Sequence, residues 1–364
     1  MRSISSTLIG VLLAVSGMAQ ERPPGEVPVL IGYYAGNGDG LEEYRIEQLT
    51  HLIWCFGHLQ GDSMMVAPEQ GAIIGRMMAL KERNPGMKVL MSLGGWGGCS
   101  TCSEVFGREG GRRHFARGVL DMLRYYNADG IDLDWEYPAV QGPKGHPFAS
   151  EDRHNFTLLV RELRAVLGDR YEISFAIGGT DECIRQGFEW DAVMPVVDRV
   201  QIMSYDLVHG YSTRTGHHTP LRSSKEQPLS TEHAVQLLTA LGVPLGKVVI
   251  GAAFYARIFK DVPAENNGLF QPGTFKNTIP CSTMDTTIIP TKGWQWYRDE
   301  TAQAGYAYNA STHEFLTTDD ARSIAAKAHY VNSEGLGGIM FWQLVDDRKN
   351  EGLLDVMYRA LRAP

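Results

Sequence analysis

Two kinds of apolar pattern alternate along this chain. Short, nearly uninterrupted apolar stretches begin near Pro28, Thr50, Met87, Asp129, Tyr171, Asp198, Lys247 and Leu336. Runs of this length bounded by turn residues predict strands buried on both faces. Between them the period lengthens. Phe115, Val119, Met122, Leu123 and Tyr126 recur at i, i+4, i+7, i+8 and i+11, and Phe156, Leu159, Leu163 and Val166 at i, i+3, i+7 and i+10, so each set predicts an amphipathic helix. Thr231 ahead of Glu232-His233-Ala234, with Gly242 beyond, predicts another, capped helix. Eight strands each followed by a helix predict the α/β class and a (β/α)8 TIM barrel, whose chemistry sits at the C-terminal ends of its strands.

One interval breaks the alternation. From about Arg257 to Thr318 the chain carries Pro280-Cys281, Pro290, Gly293-Trp294-Gln295-Trp296 and Tyr306-Ala307-Tyr308-Asn309 with no single helical period. This predicts an insertion after strand seven, at the chemically active end of the barrel. The expected boundaries are a polar, Pro-rich linker over 20–27, a barrel over 28–258 and 319–364, and an insertion over 259–318. No internal repeat or low-complexity tract divides the chain.

The fourth strand is unlike the others. Residues 128–138 read Ala-Asp-Gly-Ile-Asp-Leu-Asp-Trp-Glu-Tyr-Pro, which places four carboxylates in a stretch that otherwise reads as buried. Alternate side chains of a strand share a face, so Asp132, Asp134 and Glu136 point one way and Ile131, Leu133 and Trp135 the other. Like charges along one face repel and are costly to desolvate, so the row persists only if its members share protons and hydrogen bonds. Acid catalysis needs such a group. A solvated strand face or a divalent-cation site would also gather carboxylates. The Gly, Trp and Tyr-Pro crowding the stretch disfavour the first, and a cation site more usually sits on a loop with a Gly-centred turn. Asp129 has the wrong parity for the row and is assigned a structural role at the strand start.

Asp129-Gly130-x-Asp132-x-Asp134-Trp135-Glu136 resembles the signature of family 18 glycoside hydrolases, the chitinases and their relatives, and further matches extend the resemblance from about residue 28 to about residue 350. Ser92-Leu93-Gly94-Gly95-Trp96 is similar to the family's Ser-x-Gly-Gly-Trp. The resemblance makes Ser92, with Tyr33 on strand one, a partner of the innermost acid Asp132, and sets Trp96 and Phe56 along the cleft. Met203-Ser204-Tyr205-Asp206 is similar to the family's Met-x-Tyr-Asp, which implies that Tyr205 hydrogen-bonds the substrate's acetamido oxygen, Asp206 a sugar hydroxyl, and that Met203 lines the pocket. Phe254-Tyr255-Ala256-Arg257 resembles Phe-Tyr-Gly-Arg, with Ala256 a mild departure, and assigns Tyr255 and Arg257 to the cleft. Trp342 matches the tryptophan under the sugar at the cleavage point, where an aromatic plane suits the apolar face of a pyranose. Thr215-Gly216-His217-His218-Thr219-Pro220-Leu221 resembles the loop after strand six. Its paired histidines are read as loop structure, since adjacent residues rarely chelate one ion.

By the same resemblance the insertion is a small α+β unit between strand 7 and helix 7 that deepens the cleft. The implied chemistry is substrate-assisted, an exception among retaining glycosidases. Glu136 protonates the glycosidic oxygen, the substrate's own 2-acetamido oxygen attacks the anomeric carbon, and water opens the resulting oxazolinium ion. Asp134 holds the acetamido N–H while Asp132 takes up its proton. The implied substrates are chitin or N-acetylglucosamine oligosaccharides, and no metal or organic cofactor is called for. Endo-β-N-acetylglucosaminidase action on N-glycans and a non-catalytic chitin-binding lectin are the alternatives; a lectin would usually lack the acid that Glu136 supplies.

With 364 residues, 43% hydrophobic and 21% charged, the chain can bury a large core as one domain with an insertion. A formal net charge of −8 argues against a nucleic-acid partner and suits a neutral or cationic substrate. Residues 1–19 carry Arg2, the apolar run from Leu8 to Val15 and the small-residue ending Gly17-Met18-Ala19, the pattern of a secretory signal peptide. No later stretch reaches the roughly 18 apolar residues of a membrane helix. A soluble, monomeric protein secreted to the periplasm or the exterior is therefore expected, beginning near Gln20. Five cysteines allow two disulfides and one leftover thiol. Cys99-Ser-Thr-Cys102 is expected to form a loop-tightening disulfide, because no second Cys/His pair has the spacing of a zinc site. Cys55 reads as a buried core thiol, and the pairing of Cys183 and Cys281 is left open.

Overall fold

The computed structural model of the protein describes residues 21–23, 25–284 and 293–363, so the expected signal peptide lies outside the described residues. In chain order come β1 (Val29–Tyr34), β2 (His51–Gln60), β3 (Ser63–Met65), β4 (Lys88–Gly94), β5 (Gly130–Asp134), β6 (Glu172–Gly178), β7 (Arg199–Met203) and β8 (Val248–Ala253). They are followed by β9 (Tyr255–Lys260), β10 (Thr274–Pro280), β11 (Trp294–Asp299), β12 (Ala304–Asn309), β13 (Glu314–Thr318) and β14 (Gly338–Trp342). Strand β1 pairs in parallel with β14 on one side and β2 on the other, and β14-β8-β7-β6-β5-β4-β2 completes the ring. The closed sheet is an eight-stranded parallel barrel. Each strand starts within two residues of the position read from the apolar runs, while β3 is an unforeseen antiparallel partner of β2.

Parity divides the core. Outward side chains such as Ile131, Leu133, Phe175 and Ile250 pack beneath the surrounding helices, whereas Ile31, Tyr33, Ile53, Cys55, Leu90, Val249 and Met340 fill the barrel interior. The predicted helices span Glu109–Tyr126 and Asp152–Leu167. Asn127, in the left-handed conformation (φ 53°), ends the first of them and turns the chain into β5. Asp129 then anchors the strand start, with Lys81 Nζ at 2.8 and 2.7 Å and the Val89 N–H donating at 2.7 Å.

Two local expectations shift. The helix expected to be capped by Thr231 is capped by Ser230, whose hydroxyl accepts from the His233 N–H at 3.1 Å, so Thr231 is its first residue. Between β1 and β2 the chain makes the short 3-10 turns Leu41–Glu43 and Ile46–Gln48 where a helix was expected.

Strands β9 to β13 form a separate antiparallel sheet in the order β10-β9-β13-β12-β11. It starts at Tyr255, two residues past the end of β8 and ahead of the expected residue 259, so Tyr255 and Arg257 belong to it. Phe259, Val262, Leu269, Tyr306, Tyr308 and Phe315 give it an apolar cluster of its own. Where the chain returns to the barrel, the fully buried Lys327 reaches Asp319 at 2.8 Å, and Asp319 also accepts from the Ala253 N–H at 2.9 Å. The opposite mouth of the barrel is closed by the buried Glu172, which accepts from Lys88 at 2.7 Å, meets His51 at 3.2 Å and pairs with Arg199. Arg22, within the expected linker, hydrogen-bonds the carbonyls of Gly335 and Leu336 at 2.9 and 2.7 Å.

Cys99 and Cys102 are joined by a disulfide, and Cys55, Cys183 and Cys281 are buried free thiols, so the second disulfide that the count allows is not formed. Cys183 follows β6 while Cys281 follows β10, in different parts of the fold. Among the described residues no helix is long and apolar enough to cross a membrane.

Candidate active site

Asp132 is the deepest of the carboxylates and is completely buried in the barrel. Register puts it level with Ser92 on β4 and Ser174 on β6. Its Oδ2 accepts from Ser92 at 2.8 Å and Tyr33 at 3.1 Å, and its Oδ1 from Ser174 at 2.6 Å and the Gln201 amide at 3.2 Å. Burial pushes its carboxyl up, and these four donors hold the rise back. Ser174 and Gln201 were not foreseen. Their signal was present: each is a polar residue of inward parity inside the apolar strands Glu-Ile-Ser-Phe-Ala-Ile-Gly and Arg-Val-Gln-Ile-Met.

Asp134, one pleat higher, ends β5. Its Oδ1 is buried with no hydrogen-bond partner among the described residues. Burial, then the neighbouring charges of Glu136 and Asp132, push its carboxyl well above the usual carboxylate range. Gly94 and Gly95 let the adjacent loop come this close. A Cβ on Gly94 would lie 2.2 Å from the Asp134 carbonyl oxygen, and both residues have positive φ (111° and 78°). Glu136 lies just beyond the strand yet keeps the row's direction into the cleft, and it is 8% exposed. Burial raises it to about 7, opposed by a hydrogen bond from Tyr137 and reinforced by the charge of Asp206.

The remaining predicted residues gather above this row. Trp342, at the end of β14, stacks on Phe56 with centroids 5.6 Å apart and planes 12° from parallel, and Tyr33 lies 6.0 Å away. Met203 and Tyr205 pack on the same inner cluster. The Tyr205 ring stands edge-on to Tyr255 at 6.2 Å, and its hydroxyl is 3.9 Å from Met340 Sδ. Arg257 grips Asp206 with two parallel hydrogen bonds of 2.7 and 2.5 Å. Burial alone would raise Asp206, but His218 and Arg257 outweigh it and hold the carboxyl well below its usual range. Trp96 is 56% exposed and takes no part in the ring contacts that join Tyr33, Phe56 and Trp342. Among the described residues no group of three or more His, Cys, Asp or Glu side chains is arranged to hold a metal ion.

A buried acid that keeps its proton near neutral pH, beside a carboxyl with an unused oxygen and under an aromatic floor, is equipped to protonate a leaving group and hold an N–H. The glycosyl hydrolases family 18 model matches residues 29–347. The chain belongs to family 18. This glycoside hydrolase is 33% identical over 299 residues to Chitinase A1 of Niallia circulans, covering 76% of this chain and 43% of that protein. It is 33% identical over 292 residues to Probable chitinase 2 of Drosophila melanogaster, covering 75% of this chain and 58% of the relative. The chain thus spans about half the length of these relatives. Its fold matches that of a family 18 N-acetylglucosaminidase from Paenibacillus barengoltzii with a TM-score of 0.84 and 35% identity, over 92% of this chain and 100% of that one. The Ostrinia furnacalis Group IV chitinase, solved in complex with allosamidin, matches this family 18 chain with a TM-score of 0.84 and 25% identity, over 92% and 98% of the two chains.

Proposed function

We propose that this protein is a secreted chitinase that hydrolyses β-1,4-linked N-acetylglucosamine chains with retention, using the substrate's acetamido oxygen as nucleophile. Glu136 donates its proton to the glycosidic oxygen. Asp134 receives the acetamido N–H on its unpartnered oxygen, and Asp132, held by four donors, accepts the Asp134 proton as positive charge develops. Tyr205 steadies the acetamido oxygen, Asp206 and Arg257 hold a sugar hydroxyl, and Trp342 carries the sugar's apolar face. The observation that carries this reading is the unsatisfied, buried Oδ1 of Asp134 beside a carboxyl raised to about 7. An oxygen left bare in a desolvated site is costly unless a ligand donor completes it. The signal-peptide pattern of residues 1–19 supports export.

The likeness to an N-acetylglucosaminidase along all of that chain favours a second reading, release of single N-acetylglucosamine units from short oligomers. The product profile from a chitin hexamer separates the two, and a high-mannose glycopeptide run alongside tests action on N-glycans. The mechanism is tested on partly deacetylated chitosan. With the acetamide as nucleophile, every new reducing end carries N-acetylglucosamine, in wild type and in Tyr205→Phe alike. Frequent glucosamine at new reducing ends would refute substrate assistance and call for a protein nucleophile.

A further inference from the structure

His218 is fully buried on the loop after β7, and neither of its ring nitrogens has a hydrogen-bond partner among the described residues. A polar ring buried in a core costs free energy unless a neighbouring charge or dipole offsets it, and the charge at hand is the Asp206 carboxylate. The ring packs 5.2 Å from Tyr255, and Nδ1 stands 3.6 Å from Asp206 Oδ1. Its main chain is pinned on both sides. The Leu207 N–H donates to the His218 carbonyl at 3.0 Å, and the His218 N–H donates to Thr317 Oγ1 at 3.1 Å. Thr317 on β13 lies opposite Arg257 on β9, the residue that grips Asp206 from the other side. Asp206 itself holds a left-handed backbone conformation, φ 55°, which its surroundings must maintain.

We infer that His218 is a positioning residue: with Arg257 it clamps the Asp206 carboxylate near Glu136, and through Thr317 it ties that placement to the insertion sheet. The inference rests on the proposed function for the roles of Glu136 and Asp206. The charged groups around the ring are Asp206, Arg257 and Asp319, the last paired with Lys327. Burial holds the ring below the usual imidazole range, Asp206 and Asp319 oppose that, and Arg257 adds to it, so the ring is neutral near pH 7. A neutral ring can aim one N–H at Asp206 and offset part of its charge. Since the Asp206 charge raises Glu136, loss of that N–H leaves more of the charge uncompensated and raises Glu136 further.

The test is the pH profile of His218→Phe and His218→Asn on a chromogenic chitobioside, each also in an Asp206→Asn background. Phenylalanine keeps a ring against Tyr255 without the N–H. Its kcat should fall about tenfold through misplacement of Asp206, with KM within about twofold and the basic limb moved to higher pH. Asparagine, which restores an N–H near the Nδ1 position, should return the limb to its wild-type place. In the Asp206→Asn background neither substitution should move it. A limb that stays put in His218→Phe, or moves equally without the Asp206 charge, overturns the inference. If the phenylalanine variant does not fold, or if the wild type proves inactive on this substrate, the His218 ring titration followed by NMR decides instead. It must fall to lower pH in Asp206→Asn, and an unchanged titration overturns the inference independently of the chitinase reading.

Discussion

Glu136 fixes the pH range of the proposed reaction, because the acid must carry its proton when the leaving group departs. With its carboxyl raised to about 7, turnover should be level below that value and decline about tenfold per unit above it. Glu136→Gln keeps the shape but has no proton to give. Its turnover should drop by about 100-fold or more while oligosaccharide affinity, read by calorimetry, stays close to wild type. Asp134 yields a stability prediction with a definite sign. Its carboxyl is raised by folding, so the stability it contributes is fully present below its unfolded-state value and is lost as pH rises through the folded one. Asp134→Asn should therefore melt above wild type at pH 8, by about 3 °C, with the gain shrinking towards pH 4, while turnover falls. An equal difference at both pH values would sink the account. The acidic row was legible at this scale because period-two carboxylates in an apolar strand conflict with burial. Ser174 and Gln201 were not, since one polar residue in a strand raises no conflict until the barrel closes around it. His218 was read as loop structure because a sequence does not reveal which ring will be buried without partners.

Strand positions were legible because strands buried on both faces leave apolar runs whose lengths depend little on their neighbours. The exceptions have local causes. Ser230 and Thr231 can both cap a helix, and only the observed hydrogen bond to the His233 N–H separates them. The insertion sheet starts at Tyr255 because β9 pairs with β10 and β13, partners that lie far along the chain. That pairing changes what a deletion would do. Closing the chain across 260–318 strands β9 without either partner, whereas a cut from Tyr255 removes Arg257 and frees Asp206. Either way activity on short substrates should be lost together with activity on polymer, which a comparison of chitobioside and chitin hydrolysis would reveal. The joint after β13 makes a separate prediction. Lys327→Met leaves Asp319 buried without its cation and should cost about 3–5 kcal/mol in urea unfolding. A loss below about 1 kcal/mol would mean that the hydrogen bonds from Ala253, Thr219 and Ser323 suffice without the cation.

Across the whole molecule, polarity is distributed unevenly along the barrel axis, with the acidic row at one end and an ion-paired plug at the other. Burial alone would raise Glu172 of that plug, but His51, Arg199 and Lys88 together hold it below the ordinary carboxylate range. Its contribution is thus present above the unfolded-state value and lost as pH falls. Glu172→Gln should cost about 3 kcal/mol at pH 7, and the gap to wild type should narrow on acidification below the unfolded-state value, as denaturant melts at pH 7 and pH 3 would record. The lone disulfide bears on the molecule in another way. It closes a loop of so few residues that chain entropy assigns it only about 2 kcal/mol, and the other three thiols are unpaired in the core. Reduction should therefore remove about 2 kcal/mol of stability, and the protein should still reach its native state in a reducing cytoplasm as well as in an oxidising compartment. What a reductant does alter is the short loop that follows the exposed Trp96, so thermal melts recorded with and without dithiothreitol should differ by only a few degrees.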